Sequence, residues 1–121
     1  MVEDDKTLLG ILASILESEG HQVTRAASGH EGLTATEEGV FDVVVADFRM
    51  PRTDGLKLLE AVKLKEPDLP VVFVSAYMDK QTVQEAKKLG AAACLEKPFR
   101  LAELRKVLNK IAAKKEQQKD G

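Results

Sequence analysis

The chain has 121 residues and a formal net charge of −2, which suits a single domain and gives no electrostatic case for binding nucleic acid or an anionic membrane. Hydrophobic residues make up 44% of the chain, enough for a core, but no apolar run is long enough to span a bilayer. The single cysteine excludes an internal disulfide, and the acidic start is no signal peptide, so we expect a cytoplasmic globular domain.

The first part of the chain alternates between helical and extended patterns. Apolar residues at helical spacing predict a first helix that ends near Gly20. They are Leu8, Leu9, Leu12, Ile15 and Leu16. A short strand is predicted at 22–26, and Ser28 and Glu31 form a capping-box pair that opens a second helix, closed by Gly39. The unbroken valine run within 41–46 is typical of a strand that is buried on both faces.

The rest of the chain continues this alternation. Helical spacing predicts three more helices, around 58–62, 83–89 and 101–111, and Gly90 should end the second of these. Continuous apolar runs predict two more strands, at 71–74 and 93–95. Residues 114–121 are charged and polar, so we expect a domain at 1–113 followed by a frayed helix end or the start of a linker.

Alternating strands and helices predict an α/β fold, in which right-handed crossovers build a parallel sheet covered on both faces. In such a sheet, ligands lie beyond the carboxyl ends of the strands. Polar side chains follow the predicted strands at that point. They are Glu3, Asp4 and Asp5 at the start of the chain, Asp47 after the valine run, Ser75 after 71–74, and Glu96 and Lys97 after 93–95. The fold should therefore bring them into one pocket.

The chemistry of this pocket favours phosphoryl transfer. Several carboxylates in one place need a counter-charge, and Mg²⁺ prefers a few carboxylates together with water and phosphate oxygens. Lys97 adds a mobile positive charge, and the hydroxyl of Ser75 adds a hydrogen-bond donor. Positioning and charge neutralisation carry most of phosphoryl-transfer catalysis, and a carboxylate can be the nucleophile that forms an aspartyl phosphate.

Four motifs in register give the chain a specific resemblance. They are Val2-Glu3-Asp4-Asp5, Asp47-Phe-Arg-Met-Pro-Arg-Thr-Asp-Gly55, Val74-Ser75-Ala76 and Glu96-Lys97-Pro98-Phe99. Together they resemble the receiver domain of bacterial two-component response regulators, the CheY-like family, over nearly the whole chain. The resemblance implies a flavodoxin-like, doubly wound (βα)5 parallel sheet of strand order 2-1-3-4-5. It also implies a signalling domain, which catalyses only its own phosphorylation and dephosphorylation.

The resemblance implies roles for the acidic residues. Asp47 matches the phosphoacceptor. Glu3 and Asp4 match the acidic pair that binds Mg²⁺, with Asp4 as the more direct ligand, and Asp47 itself contributes to the metal site. Arg49 should give its backbone carbonyl to the metal, although an exposed arginine without a role is an equally good interpretation of its side chain.

The resemblance also assigns residues that respond to the phosphoryl group. Ser75 matches the switch hydroxyl and Lys97 the phosphate-binding lysine, with the Lys97–Pro98 bond usually cis in this family. Tyr77 stands where the family tunes the access of water, but it could equally be a surface tyrosine. Cys94 occupies a position where the family often has tyrosine or phenylalanine, so we expect weaker or differently routed coupling to the surface.

The implied partners are a sensor histidine kinase, which donates from a phosphohistidine, and an output domain or downstream protein; a homodimer is left open. One alternative is a phosphatase of the haloacid dehalogenase type, which needs a second aspartate two residues after the nucleophile. Arg49 occupies that place and argues against it. The other is a degenerate receiver that binds partners without phosphorylation, but both Asp47 and Lys97 are present.

The front of the chain departs from the family, which has several apolar residues before the acidic pair. Here only Met1 and Val2 stand there, so the first strand should be nearly absent. Each lost buried side chain would cost about 1.5–3 kcal/mol, against a total stability of roughly 5–15 kcal/mol for a typical domain. We expect either that the natural chain begins earlier or that a segment of another chain fills the slot. Val2 should still pair beside the third strand.

Overall fold

A computed structural model describes residues 1–3, 5–47, 49–50, 53–76, 79–97 and 99–120, with backbone alone at 49–50, 53–54, 56 and 115–120. The helices are α1 (Lys6–Ser18), α2 (Gly29–Glu38), α3 (Gly55–Lys65), α4 (Lys80–Lys88) and α5 (Leu101–Asp120). The strands are β1 (Val44–Asp47), β2 (Arg49–Met50), β3 (Thr53–Asp54), β4 (Val71–Ser75) and β5 (Ala93–Glu96).

Local hydrogen bonds start the first two helices where the sequence predicts. Asp5 is the N-cap of α1, and its carboxylate accepts the Leu8 N–H at 3.1 Å. The Ser28 hydroxyl accepts the Glu31 N–H at 3.1 Å and caps α2. The Glu31 carboxylate, however, accepts the N–H of Ala27 at 2.6 Å, so the returning bond of the box reaches one residue further back than predicted.

The ends of α1 and α4 depend on glycine. Gly20 and Gly90 have φ angles of 96° and 103°, in the left-handed region where a side chain would be strained. Gly39 caps α2 with an extended backbone. The predicted ends of these three helices are confirmed.

The central sheet is parallel, with β4 between β1 and β5. Every residue of β1 and β4 is buried, as the unbroken apolar runs predict. Alternate residues of β1 face opposite sides of the sheet. Val44 and Ala46 belong to a core shared with α3 and α4, whereas Val45 belongs to a core shared with α1 and α5. Helices therefore cover both faces of the sheet.

The first two strands of the predicted order are each reduced to a single pairing position. Val2 pairs in parallel with Ala26 on one side and Ala46 on the other, and its N–H donates to the Val45 carbonyl at 2.7 Å. The order 2-1-3-4-5 is therefore retained, and the prediction that Val2 lies beside the third strand is confirmed. The strand predicted at 22–26 is wrong in its length, since only Ala26 is paired. The account of what precedes or completes the first strand stays a prediction.

A short antiparallel hairpin follows β1. Arg49 pairs with Asp54 and Met50 with Thr53, which joins β2 to β3. The sequence did not predict it, because two-residue strands are too short to show an alternating pattern.

The last helix is longer than predicted. The backbone of α5 is helical to Asp120, through most of the segment for which we expected a frayed end or linker. The domain division at 113–114 stays a prediction. Among the helices the structure describes, none is both long and apolar enough to cross a bilayer.

Two glycines within helices should respond oppositely to alanine. A Cβ at Gly10 of α1 meets nothing within 4 Å, so Gly10→Ala should stabilise the fold by about 1 kcal/mol. A Cβ at Gly32 of α2 would lie 2.6 Å from Cγ2 of Val2, so Gly32→Ala should destabilise it by about 1–3 kcal/mol. Urea unfolding followed by circular dichroism measures both. Gly32→Ala as stable as the parent, or more stable, would contradict the close approach of α2 to Val2.

Candidate functional site

Strand ends bring the predicted side chains together. Asp47 is the last residue of β1, Ser75 is the last residue of β4, and Lys97 directly follows β5. Glu3 follows the pairing position at Val2. Because the strands are parallel, these residues meet at one edge of the sheet. The backbone N–H of Lys97 donates to the Ser75 carbonyl at 2.7 Å, which fixes the two ends beside each other.

The ammonium of Lys97 lies between two buried carboxylates. Its Nζ donates to Oδ2 of Asp47 at 2.7 Å and also to Oε1 of Glu3. Glu3 is 2% exposed and Asp47 is 6% exposed, so a charge on either would be costly without a partner. The lysine therefore supplies the counter-charge that the two carboxylates need.

Burial also changes the protonation of the cluster. It raises the pKa of Glu3 to about 6, further raised by the neighbouring Asp47 and opposed by the hydrogen bond from Lys97. Burial alone lowers the pKa of the Lys97 ammonium, but its hydrogen bonds with Asp47 and Glu3 outweigh burial and raise it above 10.5. Because this pKa is raised, the Lys97 ammonium stays charged at neutral pH.

The backbone also supports Glu3. The Asp5 N–H donates to Oε2 of Glu3 at 3.3 Å, a contact that no sequence pattern indicated.

Of the remaining predicted site residues, some lie within the described part of the chain and others lie outside it. Ser75 is 1% exposed, at the end of the strand next to Asp47. Arg49 opens β2 immediately beyond the site, and only its backbone is described. The predictions for Asp4, Tyr77 and the Lys97–Pro98 bond fall on or include residues that lie outside the described ones.

Cys94 lies away from this cluster. It is half-buried in β5, pairs with Phe73, and lines a groove together with Val83 and Lys87 of α4. Burial raises the pKa of its thiol, which the Lys87 ammonium opposes. Its place in the fold is next to α4, not beside the carboxylates.

The donors at the sheet edge suit a hard cation. Glu3 and Asp47 offer carboxylate oxygens, which Mg²⁺ prefers, and a single ammonium leaves one of their two charges uncompensated when both are ionised. Among the described residues, no group of three or more histidine, cysteine, aspartate or glutamate side chains could hold a metal. Asp4, the predicted third carboxylate, is outside that set.

Comparisons with known proteins agree with this arrangement. The sequence model of the response regulator receiver domain family matches residues 1–109. Transcriptional regulatory protein ZraR of Salmonella typhimurium is 36% identical over 113 residues, which cover 93% of this chain and 26% of that protein. Two-component response regulator ARR10 of Arabidopsis thaliana is 38% identical over 121 residues, which cover 98% of this chain and 22% of that protein. The chain thus spans about a quarter of the length of these curated relatives.

A solved structure shares the fold. The CheY-like response regulator receiver domain protein from Methanospirillum hungatei JF-1 superposes with a TM-score of 0.88 at 31% sequence identity. The match covers 99% of this chain and 94% of that one, so the predicted fold class is confirmed.

The Glu3 carboxyl of the metal-free protein should titrate near pH 6. Because this folded-state pKa lies above the ordinary 4.5, Glu3 contributes stability that is fully present below pH 4.5 and is lost as pH rises through about 6. Lys97→Met removes the hydrogen bond that lowers this pKa, so the midpoint should rise further. Carbon-13 NMR of the carboxyl groups measures both, and Lys106→Met on the exposed face of α5 is the control. A midpoint near 4.5, or no change in Lys97→Met, would show that the cluster is not formed as described.

Proposed function

The chain belongs to the response regulator receiver domain family, a family of signalling domains, and we propose that Asp47 is the side chain that accepts its phosphoryl group. The observation that carries this proposal is the 2.7 Å ion pair between Lys97 and Asp47 at the carboxyl end of β1. The lysine fixes one carboxylate oxygen and neutralises its charge. No observation favours a degenerate receiver that works without phosphorylation.

In the proposed reaction, an Asp47 oxygen attacks the phosphorus of the donor. The new bond joins that oxygen to phosphorus, and the bond between phosphorus and the donor's leaving atom breaks. Lys97 bonds Asp47 at 2.7 Å, and we propose that its ammonium pairs with a phosphoryl oxygen after the transfer. We propose that Ser75, at the end of the adjacent strand, donates its hydroxyl to another phosphoryl oxygen. Catalysis by the chain is confined to gaining and losing this group.

We propose Mg²⁺ as the cofactor, held by Glu3, Asp4, Asp47 and the backbone carbonyl of Arg49. The ion supplies positive charge for the phosphoryl oxygens when it is bound. Lys97 bonds both Glu3 and Asp47, so coordination of the ion by both carboxylates would weaken these contacts.

We propose a sensor histidine kinase as the donor and an output domain or separate downstream protein as the recipient of the signal. The relatives are named as response regulators or a transcriptional regulatory protein, and they are about four times longer than the matched region. The net charge of −2 supports the proposal that this domain itself does not contact nucleic acid. The lone free cysteine supports a cytoplasmic location.

We propose that the switch starts at Ser75. A phosphoryl group brings roughly two negative charges and three acceptor oxygens, which would draw the Ser75 hydroxyl and the segment that follows β4. The movement would bias the face formed by α4, β5 and α5. Cys94 is small and lines a groove beside α4, so the coupling between the phosphorylation site and this face should be weak. We propose that Tyr77 serves in place of the aromatic side chain that the family often has at the position of Cys94.

Acetyl phosphate with Mg²⁺ should label the parent protein at Asp47 with an acyl phosphate, and Asp47→Asn should abolish labelling. Phosphate-affinity electrophoresis and intact mass spectrometry measure the label. Asp68→Asn, at an exposed turn, is the matched control and should label like the parent. Equal labelling of Asp47→Asn would assign the nucleophile elsewhere, and an unlabelled but folded parent would favour the degenerate receiver.

Mg²⁺ should raise the melting temperature of the parent by an amount that grows with its concentration, because it binds only the folded site. Glu3→Gln and Asp47→Asn should each reduce this shift, since each removes a carboxylate from the edge of the sheet. Glu66→Gln, which removes an exposed carboxylate after α3, should keep it. A parent melting temperature indifferent to millimolar Mg²⁺ would refute the metal site.

A further inference from the structure

Positive charge is concentrated on one side of α5. Residues 101–114 contain four lysines and arginines and one glutamate, whereas residues 1–100 carry a net charge of −5. Four residues advance a helix by about one turn and about 6 Å, so Lys106, Lys110 and Lys114 form a row along α5. All three side chains are exposed, and none forms an ion pair with a described carboxylate. The row is therefore accessible to an anionic partner.

A shallow groove, open to solvent, runs beside this row. Every described residue that lines it belongs to α5, namely Ala102, Arg105, Lys106, Asn109, Lys110 and Ala113. Helical spacing puts Ala102, Asn109 and Ala113 on one line of the helix, so short side chains form the floor of the groove. A second helix could therefore lie close to the backbone of α5.

The two walls of the groove differ in charge. Lys106 and Lys110 form one wall, and Arg105 forms the other. The guanidinium of Arg105 pairs with the carboxylate of Glu19, the residue that caps the end of α1, so most of its charge is neutralised. The uncompensated charge of the groove is therefore on the lysine side.

The apolar side chains of α5 belong to the core instead of the groove. Leu104 is 0% exposed, and Val107, Leu108 and Ile111 pack against the same core. The described lining of the groove thus includes no large apolar side chain that could anchor it in a bilayer. A second copy of α5 would bring a second row of lysines, which would repel the first. Nucleic acid would extend beyond α5 and meet the net negative charge of residues 1–100.

We propose that this face of α5 binds an acidic helix of a partner protein. Carboxylates four residues apart on such a helix have the same spacing of about 6 Å as the lysine row, so several charge pairs form at once. The small side chains of the floor let the two helices approach closely. A contact of about three helical turns is small, so the complex is transient and sensitive to salt. The proposal does not depend on phosphorylation of Asp47.

The first test uses the full chain and a synthetic peptide with blocked ends, made of four Glu-Ala-Ala-Ala repeats, which places its glutamates in one row. Titration followed by nitrogen-15 NMR should give saturable shifts at the amides of Lys106, Lys110 and Ala113. A peptide of the same composition with its glutamates spread around the helix should bind about fivefold more weakly. Raising the salt from about 0.05 M to about 0.5 M should weaken binding about tenfold. Equal binding by both peptides, or no saturable shifts at millimolar peptide, would overturn the proposal.

Charge reversals then locate the site. Lys106→Glu/Lys110→Glu should weaken peptide binding about tenfold. Lys80→Glu/Lys88→Glu makes the same change of net charge at exposed positions of α4 and should bind nearly like the parent. Circular dichroism checks that both variants are folded. An equal loss of affinity in the two variants would contradict the assigned groove, because the peptide would then respond to net charge alone.

Glu19→Gln gives a gain of affinity that general stickiness would not. The substitution releases the guanidinium of Arg105 for the acidic helix, so the peptide should bind about twofold more tightly. Unchanged or weaker binding would contradict the position of the helix between the two walls. Short duplex DNA and vesicles that contain phosphatidylserine are the competing ligands. Saturable shifts at the same amides with either of them, at a lower concentration than with the peptide, would overturn the choice of partner.

Discussion

The ion pairs of Lys97 with Glu3 and Asp47 are the constraint on which the rest of the structure depends. They join residues that are 94 and 50 positions apart and that follow or end β5, β1 and the pairing position at Val2. Both carboxylates are almost fully buried, so neither is tolerated there without the ammonium. The strand order brings these charged residues together, and their ion pairs in turn stabilise that strand order. A change in the charge balance of the site would act directly on the place where the strands converge.

The same cluster explains how a resting receiver could be poised for change. A single ammonium serves two carboxylates, and burial already pushes Glu3 towards its protonated form. An incoming phosphoryl group offers Lys97 new anionic oxygens, which compete with Glu3 for the same donor. The contact that stabilises the resting state is therefore the one that the proposed reaction must loosen.

Much of the fold could be predicted from the sequence because its signals are local. The valine run before Asp47 indicated a buried strand, and the glycines at 20 and 90 indicated helix ends, where the structure gives both residues positive φ angles. The placement of Asp47 and Lys97 at one edge followed from their positions at the carboxyl ends of predicted parallel strands. Local patterns could not predict the two-residue strands β2 and β3, nor that pairing at 22–26 would narrow to Ala26. Such short pairings are set by tertiary contacts.

The sequence predicted which residues form the site better than it predicted the hydrogen bonds that hold them. The motifs indicated that Glu3, Asp47 and Lys97 would meet, but the Asp5 N–H that supports Glu3 depends on backbone geometry that no motif encodes. The hydrogen bond from the Ala27 N–H to the Glu31 carboxylate likewise depends on local backbone geometry that no motif encodes. The close approach of Val2 to Gly32 likewise follows from how α2 packs on the sheet. Of these contacts, the Asp5 N–H acts directly on a site carboxylate, since it bonds Glu3.

The free energy of unfolding of Lys97→Met at neutral pH, from urea denaturation without Mg²⁺, tests the central role of the ion pairs most directly. The substitution leaves two buried carboxylates without their cation, so it should cost on the order of 3 kcal/mol. The double variant Glu3→Gln/Lys97→Met, which removes one of those charges, should recover part of that loss. Lys97→Met with the stability of the parent would contradict the account, because the carboxylates would then not depend on the lysine.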